Sequence, residues 1–418
     1  FRRTLIVFKS QHIPARYLSF CILSTVLLVV LSIRSLQGEL FITDTQYMVA
    51  AGRWIIANGH LPTTDPLSIH SGLTYICQQY PICILVAVLY DTFGEMSVRL
   101  FFALLDMVAV LFIWYLTFPK AGNRLLHCAV SCVFGAIIVY SLRSTPRALD
   151  ILCLAVSWEL IGKYIESRDI RFLFGFPFLG VFMANVHGAL WPCAIMLPLV
   201  ALFESELSMR ARIALAVTIL LTIASAALNP YGLEVLSLPF KTIGTSDIAT
   251  AVVPELKPMF SIVPVEAVIL IVISVVPVLF HAKCLGFKKA VFSFETMMIA
   301  GLLFLSLMAW RNELLQLGIL MIVYSRWCGK LESKCKASSM MLSRIFLLSI
   351  SVIALELGAV LFYSTLSVTD QKSISLERAF QAMREDGAVS GTAVLTDIDP
   401  GCRAELNGFK PYLDTRIE

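Results

Sequence analysis

The feature that most constrains this chain is a series of uncharged apolar runs long enough to cross a lipid bilayer. A membrane-spanning helix needs about 20 mostly apolar residues, whereas the strands of a membrane barrel would alternate apolar and polar positions. Charged residues make up only 15% of the 418 residues, against about 25% in soluble proteins. The sequence therefore predicts an all-α polytopic membrane protein with about 11 to 12 membrane segments, and it excludes a water-soluble enzyme. Together with runs that are shorter or carry a charged residue, the predicted membrane segments cover residues 17–33, 78–93, 98–118, 125–142, 148–164, 172–184, 188–203, 213–228, 262–280, 296–310, 314–324 and 345–366.

Basic residues mark one side of the predicted membrane domain. They fall in every second gap between apolar runs, and loops rich in Lys and Arg stay in the cytoplasm. This pattern predicts a cytoplasmic N-terminus, an extracytoplasmic C-terminus and a first outer loop over residues 35–77. The basic gaps contain Lys120 and Arg124; Lys163, Arg168 and Arg171; Arg210 and Arg212; Lys283, Lys288 and Lys289; and Arg326, Lys330, Lys334, Lys336 and Arg344.

The side of the membrane that is assigned to each later loop depends on whether residues 78–93 cross the bilayer. A full crossing there would invert every later loop, so this segment is predicted to dip and return or to lie at the membrane surface. The amphipathic stretch 47–57 is likewise predicted to lie flat on the membrane. Residues 1–369 form the predicted transmembrane domain, and residues 370–418 form a partial extracytoplasmic α/β piece. Because the chain opens on Phe1 and stops within a motif, we expect a piece of a longer protein.

Net charge and cysteine spacing argue against two further kinds of site. The formal net charge of +4 reflects loop topology, and no basic low-complexity tract indicates binding to nucleic acid. None of the eleven cysteines has the spacing of a zinc site. Most lie in apolar runs and are assigned to packing. Cys77 and Cys402 both fall in predicted outer segments, where a disulfide between them is the alternative to packing.

Polar motifs recur on the predicted outer side along nearly the whole chain. They are Asp44-Thr45-Gln46, Ala51-Gly52-Arg53-Trp54-Ile55, Asn58-Gly59, Pro62, Asp65-Pro66, Ser68, Gln78-Gln79-Tyr80, Arg143 to Arg147, Ala184 to Gly188, Asn229 to Gly232, Glu255 to Pro258, Arg311-Asn312 and Tyr412 to Arg416. In content and order this set resembles a bacterial branch of the GT-C membrane glycosyltransferases. The chain departs from that branch at Gln46 and Tyr47, where bulky aromatics are common, and at Gln78-Gln79, where His or an acid is frequent.

The resemblance implies the GT-C fold in a bacterial plasma membrane and a function in the cell envelope. It implies inverting transfer of a sugar from a polyprenyl-phosphate donor to an acceptor on the outer side. The acceptor is a glycan, a lipid or a protein. An acid in the first outer loop acts as the base in that family, and Asp44 matches it. Because the paired acids of the metal-dependent relatives are missing here, a divalent metal is not indicated and no cofactor is assigned.

The chemistry of such a transfer is compatible with the polar residues of the outer side. An acceptor hydroxyl must lose a proton to a nearby carboxylate, and the leaving phosphate must be met by cations or oriented donors. Arginine suits the second task because its guanidinium contacts phosphate through two parallel hydrogen bonds. The predicted donor-phosphate residues are Arg143, Arg147, Asn185, His187, Arg311 and Asn312, and the predicted substrate-pocket residues are Arg53, Asp65, Gln78, Gln79 and Glu255.

The sequence is equally compatible with purely structural roles for several of these residues. Arg143 and Arg147 also suit headgroup anchors, and His187 suits a hydrogen-bond donor at a helix end. Asn185 suits a helix cap, and Asp65 before Pro66 suits a turn. Arg311 has Glu313 as an alternative ion-pair partner.

Asp106 and Glu356 lie inside apolar runs, where an ionisable residue is a functional candidate. Asp106 follows Arg99 by seven residues, so both project to similar sides of one helix and are predicted to pair. Glu356 has no assigned role.

The run from residue 172 to residue 203 is interrupted by Asn185-Val186-His187-Gly188. This predicts two short helices separated by a break that lines a polar cavity. The His187 imidazole and the N–H groups of a helix beginning at Gly188 predict a site for the donor phosphate, since a helix start carries partial positive charge.

Two other functions are weighed against glycosyl transfer. A transporter or flippase for a lipid-linked glycan would show matching helix breaks in its two halves, and only one clear break is visible in the sequence. A catalytically silent GT-C relative that acts as a scaffold is favoured by the departures near Asp44.

Overall fold

The computed structural model describes residues 13–38, 40–70, 72–120, 123–142, 144–204, 207–243, 253–328, 341–366 and 371–413. Over these ranges the chain is overwhelmingly helical. The helices are α1 (Ile13–Leu36), α2 (Thr43–Asn58), α3 (Tyr80–Phe93), α4 (Glu95–Thr117), α5 (Arg124–Ser141), α6 (Arg147–Ser167), α7 (Gly175–Val186), α8 (Cys193–Ala201), α9 (Met209–Ala226), α10 (Glu234–Ile243), α11 (Met259–Ile262), α12 (Pro264–Leu285), α13 (Phe287–Val291), α14 (Phe294–Met308), α15 (Glu313–Trp327), α16 (Met341–Leu366), α17 (Gln371–Glu385) and α18 (Ile398–Leu406).

Within the described ranges, six helices are long and apolar enough to cross a membrane. They lie in α1, α4, α5, α9, α12 and α16. Shorter apolar helices cover Tyr80–Phe93, Ile170–Val186, Gly188–Ala201 and Phe294–Met308. The prediction of an all-α polytopic membrane protein is confirmed, while the sidedness of its loops stays a prediction.

The outward faces of the long helices are strongly apolar. Val265 is 71% exposed, Leu220 is 67% exposed and Val360 is 67% exposed. A soluble protein rarely leaves so large an apolar surface uncovered, whereas acyl chains of a bilayer would cover it. In contrast, α15 lies at the centre of the bundle, and most of its residues are buried.

Helix α2 is packed inside the protein, so the prediction that residues 47–57 lie flat on the membrane is wrong. It packs against α3 and α18, and Met48 and Val49 are fully buried. A Cβ atom added at Gly52 would overlap the backbone carbonyl of Cys83 on α3, so the two helices approach as closely as glycine allows. The apolar side of this helix therefore faces protein and not lipid.

Helix α3 covers most of the segment on which the loop parity depends. Its 14 residues rise about 21 Å at 1.5 Å per residue, which is short of the ~30 Å hydrocarbon core. That length is compatible with a helix that dips into the membrane or lies at its surface, as predicted.

A buried ion pair lies inside the bundle. Arg34 Nη1 is 2.8 Å from Asp106 Oδ2, and both side chains have no exposed surface. Arg99 instead pairs with Glu95 one turn earlier on α4. The predicted Arg99–Asp106 pair is therefore wrong, because α1 brings a second arginine to Asp106 from the other side.

The C-terminal part folds onto the first loop. Its two short strands, β1 (Ala393–Val394) and β2 (Lys410–Pro411), pair in parallel. The Ile69 N–H donates to the Pro411 carbonyl at 3.1 Å, and α18 packs on α2. Residues 371–413 are thus attached to the helix that carries Asp44.

Candidate functional site

Charged residues from five segments meet at one end of the helix bundle. Asp44 lies in the first turn of α2, Arg147 opens α6, and Glu255 lies in a 3-10 turn over Pro254–Leu256. Arg311 lies in another 3-10 turn, Trp310–Asn312, between α14 and α15. His187 occupies the break after α7. Helix ends supply most of these positions, which explains how residues far apart in the chain come together.

Asp44 is positioned through its neighbour Thr45. The Thr45 Oγ1 hydroxyl donates to the Ser144 carbonyl at 3.0 Å. Ser144 has φ of +44°, a backbone conformation that costs energy for a residue other than glycine. Its Oγ accepts from Arg34 Nη2 at 3.4 Å. The buried Arg34 therefore supports the loop against which the start of α2 is held.

Arg147 is held by an ion pair. Its Nη2 atom donates to Glu255 Oε1 at 2.8 Å, and both side chains are largely covered. The guanidinium also interacts electrostatically with Asp44 and Asp150. Glu255 was predicted from the sequence to lie in the substrate pocket. In the structure it orients Arg147, which is predicted to bind the donor phosphate.

Arg311 lies close to the same charges. Burial, and then the Arg147 guanidinium, lower the pKa of Arg311, while Glu255, Asp150 and Asp44 oppose this effect. Arginine remains protonated in proteins despite such shifts. The Trp310 N–H donates to the Lys257 carbonyl at 3.1 Å, which joins the two 3-10 turns that carry Glu255 and Arg311. Two guanidinium groups thus face one small region.

Glu313 is not the partner of Arg311 within the described structure. Its Oε2 atom accepts a hydrogen bond from Trp310 Nε1 at 2.7 Å. Burial, and then the neighbouring charge of Glu266, raise the pKa of Glu313, and the Trp310 hydrogen bond counteracts the increase.

His187 is oriented by an acid that sequence reasoning missed. Its Nδ1 atom lies 2.8 Å from Asp150 Oδ1 and 3.0 Å from Asp150 Oδ2. Both side chains are buried. The His187 Nε2 atom forms no hydrogen bond to any residue that the structure describes. Asp150 was detectable in principle, since it lies one turn after Arg147 inside an apolar run, where an ionisable residue is a functional candidate.

The helix break itself is confirmed, but the N–H groups that were predicted to bind the donor phosphate are occupied. Residues 188–190 form a 3-10 turn, and α8 begins only at Cys193. The Gly188 N–H donates to the Gln78 carbonyl and the Ala189 N–H donates to Gln78 Oε1, both at 2.9 Å. Because Gln78 already accepts both N–H groups, the His187 imidazole is the group at the break that can bind a ligand.

Other residues assigned to the site have structural contacts elsewhere. Arg53 Nε donates to Asp91 at 2.8 Å and its Nη1 donates to the Leu406 carbonyl at 3.0 Å, so Arg53 joins α2 to α3 and α18. Asp65 accepts from the Leu67 N–H at 2.9 Å, which is a turn contact. Asn312 Nδ2 donates to the Leu305 carbonyl at 3.1 Å.

The remaining polar motifs join the break to the loop segments. Asn185 Oδ1 accepts from the Tyr80 hydroxyl at 2.9 Å, and Asn229 Nδ2 donates to the Ala184 carbonyl at 2.7 Å. The backbone carbonyl of Gln79 accepts the Ile82 N–H at the start of α3. The Asn229 amide thus holds the backbone before the break, and Arg143 lies outside the described residues.

A groove runs from the charged residues between α5, α12 and α15. It has a volume of about 460 Å³, and Arg147, Glu255, Arg311, Glu266 and Glu313 line its polar part. The rest of the wall is mostly apolar. It contains Ile137, Ile269, Leu270, Ile273, Leu314 and Leu317.

No group of three or more His, Cys, Asp or Glu side chains among the described residues could hold a metal ion.

A comparison with protein-family models and with curated proteins finds no match to this chain. The fold defines a class: an all-α polytopic integral membrane protein. Its described residues form a charged site at one end of the bundle, next to a groove with apolar walls.

Proposed function

We propose that this protein is a membrane glycosyltransferase that moves a sugar from a polyprenyl-phosphate donor to an acceptor. The observation that carries the proposal is the composition of the groove. Two arginines stand at its polar part, and the carboxylate of Asp44 interacts electrostatically with both. The apolar walls continue from there between three helices.

The groove matches a ligand that has a charged head and an apolar tail. The side chains of Ile269, Ile273 and Leu317 offer the tail a surface without hydrogen-bonding groups. Enclosure by apolar side chains with a few convergent polar groups is the usual character of a ligand site. The donor tail would lie between α12 and α15, with its phosphate toward Arg311.

The cations provide for the charge that develops on the leaving group. As the bond between the sugar and the phosphate breaks, negative charge grows on the phosphate oxygens, and fixed cations stabilise it. Arg311 faces this region without a direct ion pair to a carboxylate in the described structure. Arg147 contributes a second cation while Glu255 holds it.

Asp44 acts as the base in this proposal. The acceptor oxygen forms the new bond to the anomeric carbon, and its proton passes to the Asp44 carboxylate. Glu266 and Glu313 at the groove are placed to accept hydrogen bonds from sugar hydroxyls.

The test uses the purified chain in lipid nanodiscs. A panel of polyprenyl-phosphate sugars serves as donors, and glycan and lipid fractions of the cell envelope serve as acceptors. Release of polyprenyl phosphate is measured with the wild-type chain and with Asp44→Asn. Release that depends on acceptor and on Asp44 supports the proposal. Donor binding without release from any pair would indicate a catalytically silent relative, and movement of the intact donor between leaflets would indicate a flippase.

A further inference from the structure

We propose that Cys77 and Cys83 form a disulfide that secures the support of the helix break. Their Sγ atoms lie 3.8 Å apart, and the two side chains are 1% and 0% exposed. Both are thiols in the structure. This pairing differs from the Cys77–Cys402 bond considered from the sequence, and it does not depend on the proposed function.

The backbone brings the two cysteines together before any bond forms. The Tyr80 N–H donates to the Cys77 carbonyl at 3.2 Å, and the Cys83 N–H donates to the Gln79 carbonyl at 3.0 Å. Residues 77–83 therefore comprise a hydrogen-bonded turn and the first turn of α3, which follows it directly. A disulfide has an S–S distance near 2.05 Å, so the sulfur atoms must approach by about 1.8 Å. Rotation of two side chains in a preformed turn supplies a movement of this size.

The surroundings keep both cysteines in place. Cys83 lies where α2 and α3 approach most closely, since a side chain at Gly52 would overlap its carbonyl. The Cys77 N–H donates to the Tyr231 hydroxyl at 3.1 Å. The pair is thus fixed from both sides, by α2 and by the segment that follows α9.

A second pair of neighbouring cysteines provides an internal contrast. Cys128 and Cys132 are one turn apart on α5. Residues at this spacing in a helix have Cβ atoms about 5 to 6 Å apart, whereas a disulfide needs about 3.5 to 4.5 Å. A bond there would require α5 to distort. This pair therefore serves as a control that stays reduced.

The proposed bond encloses Gln78, which supports the break at His187. The Gln78 carbonyl and Oε1 accept the N–H groups of Gly188 and Ala189. Closing the loop between residues 77 and 83 restricts the unfolded chain and holds Gln78 against α3. The covalent link would therefore stabilise the contact between α3 and the break.

The reaction is a thiol–disulfide exchange with a disulfide oxidant of the oxidising outer compartment, on which the predicted topology puts Cys77. The thiolate of one cysteine attacks the oxidant, and the second thiolate then displaces the oxidant's sulfur from the mixed disulfide. The two thiols lose two protons and two electrons, and the oxidant is reduced to two thiols. Because both sulfur atoms are buried in the folded chain, the exchange takes place during folding, and the finished bond is protected from reductants.

The direct test is differential labelling of the full chain, produced in cells and purified without reductant. The protein is unfolded in detergent with N-ethylmaleimide, then reduced and treated with iodoacetamide, and each cysteine is read by mass spectrometry. We expect Cys77 and Cys83 to carry the second label and Cys128 and Cys132 to carry the first. In Cys77→Ser, Cys83 should change to the first label. Maleimide on both Cys77 and Cys83 in the wild-type chain, or a linked peptide that joins Cys77 to Cys402, overturns the proposal.

Thermal unfolding provides a second measurement. If the bond exists, Cys77→Ser, Cys83→Ser and the double variant should all lower Tm by the same few degrees, since each removes the same link. Losses that add in the double variant would show two independent packing residues and would overturn the proposal. Cys128→Ser supplies the matched control for the loss of one buried thiol.

Discussion

Nδ1 of His187 lies 2.8 Å from the carboxylate of Asp150, 37 positions earlier in the chain. The contact joins the first turn of α6 to the break between α7 and α8. With Nδ1 directed at Asp150, Nε2 is the atom of the imidazole left to meet a ligand. A carboxylate in this position holds the ring in one orientation.

This geometry leads to the first prediction. His187→Ala should weaken binding of a short-chain polyprenyl-phosphate analogue by about 1 to 3 kcal/mol, the range for a hydrogen bond to a charged group. Asp150→Asn should weaken it less, because the imidazole stays but loses its fixed orientation. Titration of the analogue by calorimetry measures both effects. His60→Ala, at an exposed histidine, is the control, and unchanged affinity in His187→Ala would make the break a packing feature.

Arg311 provides a second prediction. Arg311→Gln should weaken binding of the same analogue about 10- to 100-fold, since one charge-assisted contact to phosphate is lost. The affinity of Arg311→Lys should fall between those of the wild-type chain and Arg311→Gln. Lysine keeps the positive charge but cannot form two parallel hydrogen bonds to a phosphate. Arg171→Gln, in the 3-10 turn Ile170–Phe174 where Arg171 pairs with Asp169, should leave affinity unchanged. If Arg311→Gln and Arg171→Gln bind alike, Arg311 does not contact the phosphate.

Asp44 is tested by removing its ability to accept a proton while keeping its shape. Asp44→Asn should slow transfer by about two to four orders of magnitude and leave affinity for the donor analogue nearly unchanged. Asp65→Asn should have a much smaller effect, since Asp65 forms a turn. The readout is the initial rate of polyprenyl-phosphate release. Turnover at the wild-type rate would exclude Asp44 from the mechanism.

The buried pair of Arg34 and Asp106 gives a prediction about stability. Asp106→Asn should reduce the free energy of unfolding by about 3 to 5 kcal/mol, because it leaves an uncompensated buried charge. The double variant Arg34→Met with Asp106→Leu should recover much of that loss, since neither member of the pair then leaves an unpaired buried charge. Denaturation in detergent measures both. A double variant that is less stable than Asp106→Asn would show that the other contacts of Arg34 dominate.

The close approach of α2 and α3 gives the last prediction. Gly52→Ala should destabilise the fold by about 1 to 3 kcal/mol, the usual effect of overpacking, because the new methyl group would overlap the Cys83 carbonyl. Gly301→Ala on α14 meets no atom within 4 Å, so it should be neutral or slightly stabilising. The difference in Tm between the two variants is the measurement, and equal values would contradict the close contact.

Much of the fold follows from local pattern. Apolar runs predicted the long helices because a helix satisfies its own backbone hydrogen bonds and needs only apolar side chains to enter lipid. The break at Asn185 to Gly188 was visible for the same reason, since polar residues and glycine interrupt an apolar run. Helix α2 was mistaken for a surface helix because amphipathic character does not say whether the apolar face meets lipid or protein.

The composition and order of the chain by themselves determined the class of protein, the positions of most helices and most of the charged residues at the site. Only the tertiary structure decided which charges meet. Asp106 pairs with Arg34 and not with Arg99, Asp150 holds His187, and Gln78 takes the N–H groups that a phosphate was expected to use. The physical reason is that local pattern reflects hydrogen bonds and burial within one helix. Ion pairs depend on the angles at which helices pack, and the packing of the whole bundle sets those angles.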